Sequence, residues 1–571
     1  MRKKSLRFIS AALAVSMMAS TLPVGAFALE VGAGETTAAV SEQEAATSHR
    51  LEGGEIIGEG VANGTVYTLS GNYTKGITIE TKQDITINID DEVTITGVAK
   101  FLDVTGTGKV TINGTKDGAA QKIKMTTNFG EVGGDTGIVY LDAAGADVTC
   151  NGGDYYSVET GNVGSTYSVF CVKDGSLKLN KVIAEAGEST GVVDCGVYTT
   201  SSLATVEIHG GSFKASGFNS RVIHCGNKGT MTINNATLEM HNGGSYVLAA
   251  NGSSAELKIY SSTVIGENET SCVTVQHRGS FWAENCEFTS VGNQNYNGGL
   301  LYMLSGEATI KDSSYVAKQS GVNGIRTSYM LYGLNGPHKL TVENTEIKGC
   351  ENALSFGYDP DGSDIKLKNV TFEDNETDIY LENDENTPAN APQVKLDKGT
   401  KDTAGAITVE VENPANGVQI TTKTTDEDYQ QNLKLASKND GWLIGYKKDA
   451  DGEYRYLTKR EGDNYFGLNT INAAATTGEG DNAATLESYA QLTEGTPVKL
   501  TADIPGGKPC TGWKVEKIAA EGVTEVHDAG VIKYDPENPE TATLTMPHYD
   551  IFVTAEYKEG VIIDPGTGDT D

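Results

Sequence analysis

An apolar position that recurs along the middle of the chain is the feature that most restricts the fold. Successive members of this reference column are separated by 24 to 32 residues, a variable period close to one turn of a solenoid. Leucine-rich repeats would need Leu at fixed positions and β-propellers a four-strand period, and the sequence has neither. The members of the reference column are Cys150, Leu179, Ile208, Ile233, Ile259, Ala283, Ile310, Val342 and Leu367.

Three further columns keep the same register. Five residues after each reference position stands an apolar or aromatic residue that we expect to point inward, namely Tyr155, Ala184, Phe213, Leu238, Val264, Phe288, Tyr315, Ile347 and Phe372. Three residues after it stands a residue small enough for an inner corner, namely Gly153, Val182, Gly211, Ala236, Ser262, Cys286, Ser313, Thr345 and Val370. Two residues after it, in the later turns, stand Asn235, Ser261, Asn285, Asp312, Asn344 and Asn369.

The asparagine-rich column predicts a tight bend between two strands of each turn. Asparagine tolerates a left-handed backbone, and its side-chain amide can hydrogen-bond to the equivalent residue on the next turn. We therefore interpret the column as a ladder that holds the turns together. A polar binding stripe is the alternative.

The columns predict an all-β protein whose body, residues 55–390, is a right-handed parallel β-helix solenoid followed by small β modules. The 68 glycines and the 7% aromatic content suit many short strands and turns. Alternating segments such as Ile85-Thr86-Ile87 extend the pattern toward the N-terminus. In this arrangement the chain resembles the pectin-lyase-like family of β-helix proteins, a resemblance that implies a fold without implying a reaction.

The N-terminal residues 1–28 read as a secretory signal peptide. Four basic residues within the first seven positions precede an apolar run over residues 8–18 and the small-residue sequence Ala26-Phe27-Ala28. A membrane anchor is the alternative, but a span needs ~20 apolar residues. Residues 29–54 have few large apolar side chains, so we expect a disordered leader. The chain is therefore predicted to be secreted or displayed at the cell surface.

Two modules and a tail are predicted after the solenoid. Residues 395–460 form a small β module or cap, with a hairpin turn at Asp449-Ala450-Asp451-Gly452. Residues 463–558 carry Thr511-Gly512-Trp513 between two alternating segments and are similar to the InlB B-repeat-like modules of Gram-positive surface proteins. That resemblance implies a spacer or interaction domain, with Trp513 in its core. Residues 559–571 have the composition of a linker.

The charge of the chain limits its partners. A formal net charge of −33 repels nucleic acid and polyanionic glycans, although a divalent cation could reverse this locally. We predict a polysaccharide or a host or cell-surface glycan as the partner, with no nucleic acid, no membrane span and a monomeric chain. No cofactor is required by the motifs.

The eight cysteines are predicted to be buried thiols. Cys171, Cys195 and Cys225 occur in similar strand contexts and are expected to stack on successive turns. Parallel neighbours lie ~4.8 Å apart, whereas the Cβ atoms of a disulfide lie ~3.8 Å apart. No Cys/His pair has the short spacing typical of a zinc site.

One catalytic constellation can be assembled from the strand alternation. If the cysteines face inward, Asp194 and His224 lie outside on adjacent turns, as a general acid or base and its partner would. Arg278, two turns further on, could neutralise a developing charge. A solvated polar face is the alternative, and the local motifs of polygalacturonases and pectate lyases are missing.

Two binding sites are also candidates. Tyr260, Trp282 and Glu284 place aromatic faces and a carboxylate on one outer surface, as carbohydrate sites do, although a loop covering Trp282 is an equally simple account.

Asp359, Asp361 and Asp364 form an acidic loop that could hold calcium or be an ordinary turn.

Two functions stay open: a non-catalytic glycan-binding or adhesion scaffold, which we favour, and a polysaccharide lyase or glycoside hydrolase.

Overall fold

The computed structural model describes residues 48–126, 135–157, 167–188, 190–196, 203–217, 220–244, 246–268, 270–291, 299–319, 321–328, 338–357, 363–397, 399–425, 433–478, 483–504, 508–519 and 522–557. Within these ranges the chain forms β-strands and a single 3-10 turn, Pro388–Asn390. The predicted all-β class is confirmed, because 36 of the strands pair into one parallel solenoid and small antiparallel sheets follow it.

Each turn of the solenoid contributes strands to three parallel ladders, which we call faces A, B and C. Face A carries the reference column and includes His49–Arg50, Lys109–Asn113, Gly229–Asn234, Glu256–Tyr260, Ser280–Glu284, Gly306–Lys311, His338–Glu343, Asp364–Lys368 and Val394–Leu396. Face B follows the asparagine corner and includes Lys122–Met125, Asp154–Ser157, Thr237–His241, Thr263–Glu267, Glu287–Val291, Ser314–Ala317, Glu346–Lys348, Thr371–Glu373 and Lys401–Asp402.

Face C comes next along the chain and leads into the face A strand of the following turn. It includes Ile56–Ile57, Ile77–Ile79, Lys100–Val104, Gly191–Cys195, Arg221–Cys225, Tyr246–Asn251, Ser271–Gln276, Gly299–Met303, Ile325–Thr327, Asn352–Phe356, Thr377–Leu381, Ile407–Val411 and Leu435–Ser437. The strands Thr65–Tyr73, Ile85–Ile95, Gly137–Asn151, Ser168–Ala186 and Ala204–Ser216 continue from one face to the next. A short hairpin, Thr115–Lys116 with Ala119–Ala120, projects from an early turn.

The core of the solenoid is built from the predicted inward columns. Every member of the reference column, and every residue five positions after it, is at most 2% exposed. Because the strands are parallel and in register, each apolar side chain stacks on its equivalent in the next turn. The apolar interior is therefore continuous along the stack.

The asparagine corner is confirmed. All six predicted residues have left-handed φ angles, between 47° and 56°. In the later turns the amide of Asn344 donates to Asp312 Oδ1 (2.7 Å), and that of Asn369 donates to Asn344 Oδ1 (2.9 Å). A second amide ladder, which the sequence analysis did not assign, runs along the outside of face A through Asn88, Asn113, Asn151 and Asn180.

All eight cysteines are buried free thiols, as predicted. Cys195 and Cys225 are paired across adjacent face C strands and point inward. The expected stacking of Cys171 on this pair is wrong, because Val172 aligns with Cys195 whereas Cys171 aligns with Asp194. A difference of one residue in register turns the Cys171 side chain to the opposite side of the strand.

Two further units follow Leu435–Ser437, the last strand of the solenoid: an antiparallel hairpin and a terminal sandwich in which Tyr465–Ile471 and Ile551–Tyr557 are paired in parallel. Trp442–Asp449 and Gly452–Lys459 form the hairpin, with Asp449 opposite Gly452. The terminal sandwich has one sheet in the order Tyr489–Thr493, Tyr465–Ile471, Ile551–Tyr557, Cys510–Ala519, Gly522–Glu525 and another in the order Ala484–Leu486, Ala473–Thr477, Pro497–Ala502, Asn538–Thr545, Ile532–Asp535. Trp513 lies in its core and donates from Nε1 to the Pro539 carbonyl (2.7 Å).

A fully buried arginine joins the hairpin to its neighbours. The Arg455 guanidinium lies near the rings of both Tyr446 and Tyr489, at 5.3 and 4.3 Å from their centroids, and donates from Nη2 to the Leu433 carbonyl (3.1 Å). Tyr446 belongs to the hairpin, Tyr489 to the sandwich and Leu433 to the segment that leads into the last strand of the solenoid. One cation thus contacts all three parts.

Candidate functional site

One outward column on face C contains the predicted Asp194 and His224 pair and, in later turns, residues that border a groove. We call it column C. It passes from a closed segment, Tyr140 to Thr274, in which the side chains are buried, to an open segment, Arg326 to Glu410, that borders a groove. In chain order it reads Asp103, Tyr140, Cys171, Asp194, His224, Ala249, Thr274, Tyr302, Arg326, Ser355, Tyr380 and Glu410.

The closed segment contains the predicted Asp194 and His224 pair. The two residues lie on adjacent turns in register, as the alternation indicated, but they are only 1% and 8% exposed and do not form a solvated face. Arg221 binds the Asp194 carboxylate with two hydrogen bonds, from Nε (2.9 Å) and Nη2 (2.6 Å), while His224 Nδ1 lies 3.5 Å from Oδ1. Burial opposes ionisation of Asp194, but Arg221 and His224 outweigh it and hold its pKa well below the ordinary value.

The polar contacts continue from His224 through an amide. Asn251 Oδ1 lies 2.6 Å from His277 Nδ1, and Asn251 Nδ2 lies 3.4 Å from His224 Nε2. The amide therefore presents its donor to His224, whose Nε2 accepts, and its acceptor to His277. These contacts connect side chains on adjacent turns, so the polar groups of Asp194 and His224 face each other and residues of the neighbouring turns.

Arg278 follows His277 in the turn between two strands. Both residues have left-handed backbones, with φ of 53° for His277 and 66° for Arg278, and the Arg278 side chain is exposed. The backbone N–H of Arg278 donates to Ser305 Oγ (3.1 Å). Arg278 therefore lies at the surface, next to His277, the last residue in the series of contacts that starts at Asp194.

The open segment borders a groove of about 520 Å³, which we call the face C groove. Its walls combine hydroxyl, amide, carboxylate and cationic groups from turns that are far apart in sequence. The bordering residues are Gly321, Asn323, Arg326, Glu351, Asn352, Ser355, Glu376, Thr377, Tyr380, Glu382, Glu410 and Lys438.

The groove carries more negative than positive charge. Four glutamates, Glu351, Glu376, Glu382 and Glu410, face two cations, Arg326 and Lys438, which gives a formal charge of 2 − 4 = −2.

The side chains of the groove constrain one another. Glu382 Oε1 lies 3.5 Å from Arg326 Nη2 and accepts a hydrogen bond from Ser355 Oγ (3.2 Å). Burial, with a further contribution from nearby glutamates, raises the pKa of Tyr380 to about 12, so its phenol is a neutral hydrogen-bond donor at physiological pH.

Sequence reasoning missed this groove, although one signal was available. The reference column fixes the register of the face A strands. Each face C strand precedes a face A strand, and loops of unequal length make the register of the face C strands harder to align. Arg326, Ser355 and Tyr380 each stand at the outward position of their strand. Their alternation with buried Ile325, Leu354 and Ile379 could have identified them as an outward row.

The predicted carbohydrate-binding residues lie together on face A. Tyr260 pairs in register with Glu284, and Trp282 stands two residues before Glu284 on the same side of its strand. All three are half-buried, and Trp282 Nε1 donates to Glu284 Oε2 (3.4 Å). We call this group the face A patch. The structure brings the predicted side chains together and leaves part of each accessible.

The predicted calcium loop is covered only in part. Asp359 and Asp361 lie outside the described residues, whereas Asp364 is exposed and forms an ion pair with Lys366 (2.5 Å). Among the described residues, no group of three or more His, Cys, Asp or Glu side chains could hold a metal ion.

No protein-family model matches the chain, and searches of curated proteins and of solved structures found no match. In the part of the chain that the structure describes, no helix is long and apolar enough to cross a membrane.

Proposed function

We propose that the chain is a secreted or cell-surface scaffold that binds a glycan along the outside of its solenoid without transforming it. The observation that carries this proposal is the face C groove, where hydroxyl, amide and charged groups are displayed on successive turns. Turns repeat every ~4.8 Å, so a linear polymer lying along the stack meets one polar side chain of column C per turn at regular intervals. Such a ligand has many hydroxyl groups, and the polar groups of the groove can donate hydrogen bonds to these hydroxyls and accept hydrogen bonds from them.

The charge of the groove favours neutral or cationic sugars over uronic acids. Its formal charge of −2 lies within a chain of net charge −33, so a polyuronate would be repelled over a distance of about one Debye length, ~8 Å at physiological salt. This preference is opposite to that of proteins that act on pectin. The resemblance to the pectin-lyase-like family therefore supports the proposed β-helix fold, but it does not support pectin as the ligand.

The arrangement of Asp194 supports binding over catalysis. Its side chain has no exposed surface, and Arg221 occupies both carboxylate oxygens. A general acid or base must reach the proton that it transfers. We therefore assign Asp194, His224 and Arg221 a structural role within the closed segment.

Glycan-array binding and a reducing-sugar assay on the full chain test the proposal together. We expect saturable binding of neutral or amino oligosaccharides and no release of reducing ends. Tyr380→Phe should weaken binding, because it removes a hydrogen-bond donor from the groove. Thr274→Val, at a buried position in the closed segment of the same column, is the matched control and should leave binding unchanged. Absence of binding to every neutral, cationic and anionic oligosaccharide would contradict the proposal.

A polysaccharide lyase or glycoside hydrolase is the second candidate, and one observation favours it. Glu410 is the cross-strand neighbour of Tyr380, and Glu382 follows Tyr380 by two residues, so two carboxylates border the groove near one phenol. Hydrolysis needs an acid and a base on opposite sides of one bond. Release of reducing ends that disappears in both Glu382→Gln and Glu410→Gln would establish this candidate in place of the binding scaffold.

A further inference from the structure

A second cavity lies where the end of the solenoid, the hairpin and the terminal sandwich meet. It has a volume of about 240 Å³. Trp442 and Tyr456 of the hairpin border it on one side, and Asn469, Tyr489 and Gln491 of the sandwich border it on the other. We call it the junction cavity. None of the residues of the face C groove lines it.

The aromatic walls of the junction cavity are fixed by packing. A Cβ atom at Gly445 would lie 2.7 Å from Cζ of Tyr456, so glycine is what allows this ring to lie against the backbone. The Tyr489 ring is held by the Arg455 guanidinium, which stacks on it at 4.3 Å from the ring centroid. Both rings are therefore in place before any ligand arrives.

The polar groups at the cavity are also held in place. Arg460 binds the Asp550 carboxylate through Nη1 (2.9 Å) and Nη2 (2.7 Å). Gln491 donates from Nε2 to the Lys459 carbonyl (3.0 Å) and accepts at Oε1 from the backbone N–H of Glu461 (2.8 Å). Asn469 donates to the Ile551 carbonyl (3.2 Å). Because these contacts exist without a ligand, little ordering would be needed on binding.

We propose that the junction cavity binds one pyranose ring, either a free sugar or the terminal residue of a glycan. Aromatic walls with a few fixed polar groups are typical of small-ligand sites, and a volume below the ~300 Å³ of larger pockets limits the occupant to about one ring. A pyranose offers C–H faces to the aromatic rings and hydroxyls to the amides and carboxylates.

The charged groups narrow the class of sugar. Asp550 is neutralised by Arg460, and the Glu461 side chain lies exposed at the border of the cavity. A second carboxylate brought close to Glu461 would be repelled. The cavity therefore takes a neutral or amino pyranose in preference to a uronic acid. This inference does not rest on the function proposed for the solenoid.

Titration of the full chain with glucose, N-acetylglucosamine, glucosamine and galacturonic acid tests the proposal. The readout is the NMR signal of the indole Nε1–H group of Trp442, recorded on a chain that is isotopically labelled at its 3 tryptophans. The signal is assigned by its absence from the spectrum of Trp442→Phe. We expect a saturable shift of the Trp442 signal with at least one neutral or amino sugar. Galacturonic acid should bind more weakly.

Two matched variants locate the site. A Cβ at Gly467 would make only ordinary contacts, 3.5 Å from Asp550 Oδ1 and from Leu443, so Gly467→Leu should fill the cavity and weaken binding about tenfold or more. Gly462→Leu makes the same change outside the cavity, where a Cβ meets only the Tyr465 ring at 3.6 Å, and should bind as the unmodified chain does.

Three outcomes would overturn the proposal: no saturable Trp442 shift with any of the four sugars, a folded Gly467→Leu that binds with unchanged affinity, or a preference for galacturonic acid. If Gly467→Leu does not fold, the Trp442 signal of the unmodified chain decides. Tyr380→Phe should leave the Trp442 shift unchanged, so failure of the face C groove and failure of the junction cavity are distinguishable.

Discussion

The closed and open segments of column C are built from the same repeat and differ in what their polar groups contact. In the closed segment, Asp194 is bound by Arg221 and lies 3.5 Å from His224, and the contacts stay within the protein. In the open segment, Arg326 and Tyr380 border a groove. The comparison shows that a polar row on a β-helix does not by itself mark a site. In the open segment, the side chains of Arg326 and Tyr380 keep accessible surface after their mutual contacts are made.

The largest expected difference between the segments is in stability. Arg221→Met leaves the Asp194 carboxylate buried without its main partner, and loss of one member of a buried ion pair costs ~3–5 kcal/mol. Arg326→Met removes a partly exposed contact with Glu382 and should cost less than ~1 kcal/mol. Urea unfolding followed by circular dichroism measures both.

A double variant separates charge burial from side-chain packing in this experiment. Arg221→Met combined with Asp194→Leu removes both charges and should recover most of the loss. Equal losses for Arg221→Met and Arg326→Met would contradict the distinction between the two segments.

A second buried carboxylate should respond to pH in the opposite direction from Asp194. Burial, with a contribution from Asp402, raises the pKa of Asp378 from 3.8 to about 7. Between these values the folded chain holds a proton that the unfolded chain releases. The contribution of Asp378 to stability is therefore present below the lower value and is lost as the pH rises through this window, by at most ~1.4 kcal/mol per pH unit.

Asp378→Asn should remove this contribution to the pH dependence, as measured by melting temperature from pH 4 to pH 8. Asp364→Asn, at an exposed aspartate, is the control and should leave the profile unchanged. For Asp194, whose folded pKa is lowered, stability is instead lost as the pH falls through the acidic range. A flat profile for the unmodified chain and for Asp378→Asn alike would refute the assignment.

A smaller effect is expected for the phenol in the groove. Tyr380→Phe removes one neutral hydrogen-bond donor, worth ~1 kcal/mol, which corresponds to about a fivefold weaker Kd for a bound oligosaccharide. Calorimetric titration measures it. The melting temperature should change little, because Tyr380 is only half-buried. Equal weakening by Thr274→Val would show that the open segment has no special part in binding.

The smallest effect is expected on face A. Trp282→Phe keeps an aromatic ring and removes the 3.4 Å hydrogen bond to Glu284, so the unfolding free energy should change by less than ~0.5 kcal/mol. Binding measured on the same variant then tests whether the face A patch contacts the glycan. A loss of affinity larger than that of Tyr380→Phe would move the main site from face C to face A.

The fold could be predicted because each inward column repeats one physical requirement at every turn. The asparagine corner is the clearest case, since left-handed residues occur where side chains such as Asn344 both tolerate that backbone and bond to the next turn. The candidate site was less predictable. Asp194 can be buried because Arg221 binds its carboxylate. Arg221 stands three residues before His224 and does not belong to column C, and a periodic pattern predicts contacts only within one column.

The error at Cys171 and the missed groove have one cause. Loops of different length precede the face C strands, so the sequence does not set their register as firmly as it sets that of face A. A shift of one residue placed Cys171 on the wrong side. The groove, in turn, joins Arg326 to Lys438, which belongs to the segment after the last strand of the solenoid.

Two of the buried thiols, Cys150 and Cys272, are poor targets for oxidants. Burial raises the pKa of Cys150 and of Cys272 to about 12, so neither is a thiolate at neutral pH, and thiolates are the form that oxidants and disulfides attack. No cross-link has to form for the turns to stack, because apolar columns and amide ladders hold them. Stacking of the turns therefore does not depend on oxidation of Cys150 or Cys272.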